Sequence, residues 1–370
     1  MQGRGELRAD VAASNGVEYF FMSGNRRMVF LAVVVLSLSC AGVVAAQTAK
    51  AAPPLAGGKQ LVFLDTDIGD DIDDAFALGL ILKSPELKVL GVTTAYGKTE
   101  ERARLVERFL ASTGHKEIPA YPGIVTKAKN PMTQEAYALR EPKRRYGDGI
   151  DFMLRQIRLH PGKVTLIAIG PLFNVEAALA VDPATFKKLK RIVLMGGSIE
   201  RGYDGPNGEV HPADAEWNIS RYPKGLRRIL ASGVPVTMLP LDSTQVHLGL
   251  KERESIFAND NPVSDQVTLL YHQWVEGNEG HQETPTLYDP VAVSYVLAPE
   301  LCPAVPMHIE VDAKGFTRKS DGEANAMVCM KLDEKGFVQL LLDRLVEKPA
   351  APDEPEEPTE PEQLDLMKGN

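Results

Sequence analysis

Short apolar runs alternate with helix-like stretches through the middle of the chain. Leu61–Leu64 is an apolar run that ends in acids, Val89–Ala95 is rich in β-formers, and Val164–Ile169, Ile192–Met195 and Val234–Leu241 each stop at Gly or Asp. Between them Asp73–Lys83, Glu100–Ser112, Phe152–Leu159, Asn174–Ala180 and Pro223–Ser232 read as helices. Strand, helix, strand in repetition requires crossovers, and crossovers give parallel pairing with helices over the faces. Continuously apolar strands fit burial on both sides. The pattern predicts an α/β fold: an open, mostly parallel sheet with helices on both faces. In such a sheet ligands bind beyond the carboxyl ends of the strands, so the residues just after each run are the ones that carry chemistry.

Composition narrows the function. The 370 residues are 25% charged and 44% hydrophobic, the mixture of a globular protein with enough apolar groups for a large core. A net charge of −9 leaves no basic surface for gripping phosphates, so nucleic acid is not an expected partner. No internal repeat is present.

The ends differ from the middle. Arg26-Arg27 precede the apolar run Met28–Val35, which continues through Leu38 to Val44-Ala45-Ala46, giving a basic region, an apolar region and a small-residue cleavage site after Ala46. Residues 1–46 are therefore expected to be an N-terminal extension and Sec-type signal peptide, with Met22 as an alternative start. Export would place the protein in the periplasm or outside the cell, with no membrane span after cleavage; uncleaved, the run would act as a single anchor. Residues 47–59 read as a linker and 60–347 as one folded domain. Residues 348–370 carry two Lys against seven acids and a Pro at nearly every third place, so they read as a disordered acidic tail. Behind the signal only Cys302 and Cys329 remain as thiols, and spacing alone does not say whether they pair.

The strongest chemical signal follows the first run. Asp65-Thr66-Asp67-Ile68-Gly69-Asp70-Asp71-Ile72-Asp73-Asp74 puts six carboxylates between a buried strand and an almost wholly apolar helix. Asp73 and Asp74 suit a helix N-terminus. Six acids exceed what a solvated loop or a helix start explains, because crowded carboxylates repel unless a cation compensates them. Oxygen ligands without a Cys or His cluster point to a hard cation, Ca²⁺ or Mg²⁺. An EF-hand does not fit, since its sixth and twelfth positions would be Asp70 and Phe76. Asp65-Thr66-Asp67 also matches the Asp-x-Asp of haloacid-dehalogenase-type phosphatases, although Ile68-Gly69 match less well.

Asp65-Thr66-Asp67-Ile68-Gly69 with Asp73-Asp74-Ala75 resembles the signature of the inosine-uridine preferring nucleoside hydrolases. Further blocks follow in that family's order: Gly91-Val92-Thr93-Thr94-Ala95-Tyr96-Gly97, Thr165–Asn174, Val193-Leu194-Met195-Gly196-Gly197 with Ala215-Glu216-Trp217-Asn218, and Leu287-Tyr288-Asp289-Pro290-Val291-Ala292-Val293. The resemblance spans about residues 60–347 and makes that segment the catalytic domain. It implies Ca²⁺-dependent hydrolysis of the N-glycosidic bond of a ribonucleoside, a small-molecule substrate, and a chain that can form homo-oligomers. It implies metal ligation by Asp67, Asp74, the Ile169 carbonyl and Asp289. Asp67 would also be the catalytic general base, while Asp73, Glu216 and Asn218 hold the sugar. Calcium accepts several oxygens at once, and a dense anionic pocket suits the positive charge that develops on the sugar as the ribosyl–nitrogen bond breaks.

Several residues depart from the family pattern. The Asp67–Asp74 loop is two residues longer than in well-described members, which brings Asp70 and Asp71 into contention as ligands. Lys98 stands where an Asn or Asp would grip ribose, and Tyr288 stands where some members have the His that protonates the leaving base. These departures keep open a non-catalytic calcium- and sugar-binding relative, with the Mg²⁺ phosphatase as a third reading. Trp217 and Trp274 are candidates either to stack on a base or to pack, and His281 either to reach the base or to stay solvated. Base preference is expected to lie in loops such as Ile199–Asp214. Gly196-Gly197 lacks nucleotide-cofactor spacing.

Overall fold

The apolar runs become strands because each is covered on both sides. The structure, a computed structural model, describes residues 58–346 except 129, 206–207 and 279–282. The segment expected to be a signal peptide, most of the expected linker, the acidic stretch from 348 onward and His281 lie outside the described residues. Among those described, nine strands form one sheet: β1 (Gln60–Thr66), β2 (Leu87–Thr94), β3 (Ala120–Pro122), β4 (Val164–Ala168), β5 (Arg191–Met195), β6 (Val236–Leu239), β7 (Ala304–Val311), β8 (Thr317–Ser320) and β9 (Ala326–Cys329). Their spatial order is β3-β2-β1-β4-β5-β6-β9-β7-β8. Pairing is parallel from β3 through to β9, and antiparallel where β7 meets β9 and β8. This is the α/β architecture expected from the sequence.

Alternation within β1 splits the interior into two cores. Val62 and Leu64 point into one, shared with helices Asp73–Leu82, Pro262–Gly277, Tyr288–Leu297 and Glu334–Leu345. Phe63 points into the other, covered by helices Gly149–Leu159, Phe173–Val181 and Pro223–Leu230. Both cores consist of buried aliphatic and aromatic groups, the dominant favourable contribution to folding.

Connectivity reverses at β1: the chain builds β2 and β3 on one side and then returns to lay β4, β5 and β6 on the other. Crossovers leaving β1 and β4 in opposite directions open a crevice over their carboxyl ends. Asp65 is in register with Thr93 of β2 and Ala168 of β4, so the acidic loop after β1 emerges at that crevice.

Two features were not legible in the sequence pattern. The β7–β9 extension escaped because β9 is only four residues long and β8, Thr-Arg-Lys-Ser, is a polar edge strand. Second, Cys302 and Cys329 are joined in a disulfide across a separation of 27 residues, with Cα atoms 5.6 Å apart. It ties the segment before β7 to the end of β9. No helix among the described residues is long and apolar enough to cross a membrane.

Candidate active site

The loop after β1 is a tight, internally bonded turn. Thr66 Oγ1 accepts the Ile68 amide at 3.1 Å and donates to Asp74 Oδ1, joining the end of the strand to the start of the helix. Helix Asp73–Leu82 begins with its two acids and has no side-chain N-cap, so the carboxylates themselves meet the positive helix end. Asp289 arrives from the far end of the chain, in the first turn of helix Tyr288–Leu297, and its backbone amide donates to Asp73 Oδ2 at 3.2 Å.

The result is a buried trio. One carboxylate oxygen from each of Asp73, Asp74 and Asp289 lies within 4.8 Å of the others. Burial, reinforced by the neighbouring carboxylates, pushes all three well above the ordinary Asp range. Three buried carboxylates this close, with no cationic side chain lining the cavity among the described residues, form a donor set suited to a hard divalent cation. Asp67 is not in this tightest group but lines the same cavity, and burial raises it to about 7. Its position depends on Gly170: a Cβ there would sit 2.8 Å from Asp67 Oδ1 and 2.9 Å from its amide nitrogen.

The cavity, about 690 Å³, opens over β1, β4 and β5. It brings together every residue singled out as a site residue: Asp67, Asp73, Asp74, Ile169, Glu216, Asn218, Tyr288 and Asp289. Glu216 caps helix Trp217–Arg221, with Oε1 accepting the Asn218 amide at 2.7 Å and Oε2 accepting Gly197 and Ile219 at 3.0 and 3.1 Å. Burial raises it to about 7 against the lowering effect of those bonds. Asn218 Nδ2 donates to the Ile169 carbonyl at 3.1 Å and to the Met195 carbonyl at 3.3 Å. The carbonyl keeps a second lone pair, and the Asn218 oxygen is left for another donor.

Some sequence expectations change. Asp65, counted within the acidic cluster, is not among the cavity-lining residues; it accepts Thr93 Oγ1 at 2.6 Å and Asn174 Nδ2 at 2.7 Å, bracing β1, β2 and helix Phe173–Val181 below the site. Lys98 is not a cavity residue either, since its side chain is 54% exposed and bonded to Glu135 at 2.6 Å. Its presence therefore puts no cation against a bound sugar. Asp70 and Asp71 do reach the cavity wall.

Aromatic residues form the remaining wall. Trp217 and Trp274 both line the cavity, Trp274 while also packed in the core. Tyr203, which sequence reasoning did not single out, comes from the Ile199–Asp214 loop; its hydroxyl accepts the Trp217 amide at 2.8 Å and its ring meets Tyr288 edge-on at 6.2 Å. Asp242 holds that loop by accepting the amides of Ile199, Glu200 and Arg201 at 2.8, 2.8 and 3.1 Å. No local pattern marks Tyr203, because its role depends on where a loop returns.

A switch-point crevice lined with clustered carboxylates marks an α/β protein with a ligand site suited to a hard cation. Residues 62–339 match the model of the inosine-uridine preferring nucleoside hydrolases, and the chain belongs to that family. It is accordingly a hydrolase acting on N-glycosyl compounds. It is 31% identical over 315 residues to the pyrimidine-specific ribonucleoside hydrolase RihA of Citrobacter koseri, covering 77% of this chain and 97% of that protein. The RihA of Escherichia coli K12 is likewise 31% identical, over 319 residues, with the same coverage. Among solved structures, a plant nucleoside hydrolase, PpNRh1, aligns with a TM-score of 0.68 and 25% identity, over 80% of this chain and all of that one. A purine-preferring ribonucleoside hydrolase from Gardnerella vaginalis shares the fold, with a TM-score of 0.66 and 24% identity over 77% of this chain and 98% of its own. Family membership displaces the phosphatase reading.

Proposed function

We propose that this protein is an exported, calcium-dependent hydrolase of the N-glycosidic bond of ribonucleosides, releasing free base and ribose. The convergence of Asp73, Asp74 and Asp289 in a cavity shared with Asp67, Glu216 and Asn218 carries the reading. Oxygen-only donors favour Ca²⁺ over softer ions. Asp74, Asp289, Asp67 and the Ile169 carbonyl are the proposed ligands, with Asp73 beside them able to take a sugar hydroxyl. A bound calcium would supply a centre that orients sugar hydroxyls and water together and makes the water more acidic.

The chain's own groups do the rest. Asp67 lines the cavity beside the trio and is the proposed general base that accepts a proton from the attacking water. Glu216 and Asn218 are fixed by their backbone bonds and so hold the sugar at little entropic cost on binding. The negative charge of Glu216, with that of the trio, favours the positive charge that builds on the ribose. Tyr288 has its hydroxyl pKa raised by burial, so it stays protonated at neutral pH and is the proposed donor to the departing base. Of the two departures that motivated a non-catalytic binder, Lys98 lies outside the cavity and Tyr288 lines it as the proposed donor, which favours turnover.

The named relatives differ in base preference, pyrimidine-specific in one set and purine-preferring in another, so the proposal stays at the ribonucleoside class. Export is supported by the signal-like leader and by the Cys302–Cys329 disulfide, which suits an oxidising compartment. Chromatography of inosine, uridine, adenosine and guanosine after incubation with the protein, with Ca²⁺ and with a chelator, tests the reading. Base and ribose released only with Ca²⁺ support it; intact nucleosides throughout refute it.

A further inference from the structure

The stretch from Asp67 to Asp74 holds five aspartates, both ends included, yet only Asp73 and Asp74 belong to the trio. Something must hold the others back. We propose that Arg102 is a positioning residue that does this: its guanidinium locks the Asp67–Asp70 segment so that Asp67 faces the trio while the Asp70 carboxylate, at the cavity wall, is turned onto Arg102 instead. The proposal rests on the divalent-cation reading above.

Arg102 lies on helix Thr99–Ser112 and is 1% exposed, among the largest fully buried side chains described. It does not line the cavity, so any effect on chemistry passes through the groups it holds. Its Nη1 donates to the carbonyls of Asp67 and of Ile68, the latter at 2.9 Å. Nη2 donates to Asp70 Oδ2 at 2.8 Å, and Nε donates to the Tyr96 carbonyl at 2.8 Å. Four acceptors on one planar fork fix three points of the loop, at Asp67, Ile68 and Asp70, and the turn after β2, a geometry that a lysine cannot reproduce.

The surroundings are built around this contact. Gly69 has φ +125°, and a Cβ there would lie 2.6 Å from Met132 Cε and 3.3 Å from Arg102 Nη1, so the loop can lie against the guanidinium only with glycine at that point. Tyr96, the one non-glycine residue with positive φ among those described, has φ 61° and its carbonyl on Arg102. Its ring meets cavity-lining Trp217 edge-on at 6.0 Å. One buried cation thus ties the acidic loop to an aromatic wall. The competing arrangement has Asp70 as a ligand, since its Oδ1 is buried without a hydrogen-bond partner.

Calorimetric titration of Ca²⁺ into the chelator-treated full chain decides the matter, using wild type, Arg102→Lys, Asp70→Asn and the double variant Arg102→Gln/Asp70→Asn. The double removes both buried partners, so no uncompensated charge remains to unfold it. Asp70→Asn should bind Ca²⁺ within about threefold of wild type, while Arg102→Lys and the double should bind roughly tenfold or more weakly. A tenfold loss in Asp70→Asn would make Asp70 a ligand and overturn the proposal. Wild-type affinity in the Arg102 variants, whatever their melting temperatures, would reduce Arg102 to a structural residue and also overturn it. Wild type that binds no Ca²⁺ would instead sink the cation reading itself, and wild type that binds but cleaves no nucleoside would sink only the hydrolase reading.

Discussion

The backbone amide of Asp289 donates to the carboxylate of Asp73 across 216 residues of chain, at 3.2 Å. This bond joins the starts of two helices, each of which carries an acid in its first turn, and draws the third carboxylate onto the first two. We expect Asp289→Asn to weaken Ca²⁺ binding by roughly 100-fold while the fold persists, because the amide bond survives and only a charged oxygen is lost. Calorimetry with circular dichroism as the folding control measures it; unchanged affinity would remove Asp289 from the ligand set.

Asp67 should serve chemistry as well as binding. Asp67→Asn is expected to lower kcat by about 10²–10⁴-fold, the usual contribution of a positioned base. Steady-state assays on the best nucleoside of the panel report it, and a variant with near-native kcat would assign the proton to another group.

Gly170 probes positioning without touching a carboxylate. Gly170→Ala adds a Cβ 2.8 Å from Asp67 Oδ1, so Asp67 or the end of β4 must move. Displacement of a reacting group by about an ångström should cost roughly 100-fold in kcat, with a stability loss of about 1–3 kcal/mol. A native-like kcat would show that Asp67 need not sit where it does.

Stability should depend on pH in opposite ways with and without metal. Glu216 is raised by burial from an ordinary 4.5 to about 7, so between those values the folded state binds more protons than the unfolded state. The stabilisation from this group is then full below about 4.5 and falls as pH rises to about 7, a change on the order of 3 kcal/mol at most. Asp65, raised from 3.8 to about 7, acts in the same direction. The chelated protein should therefore melt lower at pH 8 than at pH 5.5. Calcium, which needs deprotonated carboxylates, should raise the melting temperature more at pH 8. Thermal melts in the four conditions check this, and a larger calcium effect at pH 5.5 would contradict it.

The disulfide offers a further handle. Opening Cys302–Cys329, which closes a separation of 27 residues, should destabilise the protein by roughly 2–4 kcal/mol. Melts with and without a thiol reductant, and of Cys302→Ala/Cys329→Ala, measure the loss.

Much of this protein is legible in local pattern. The runs 61–64, 89–95, 164–169, 192–195 and 234–241 all appear as strands within a few residues, because strands buried on both faces must be continuously apolar. The acidic loop stood out because six carboxylates in ten residues have no ordinary structural use. What local pattern did not reveal was how those acids divide: Asp65 braces the sheet, Asp70 bonds Arg102, and Asp73 and Asp74 meet Asp289. Neither Arg102 nor Tyr203 could be singled out, since one is an ordinary helix cation and the other an ordinary loop aromatic until the chain folds back on them. Periodicity and composition report each residue's own preference for water or burial, so they determined the layers of this fold and the presence of a charged centre. Which distant groups share that centre depends on where crossovers return the chain, and only the tertiary structure decided that.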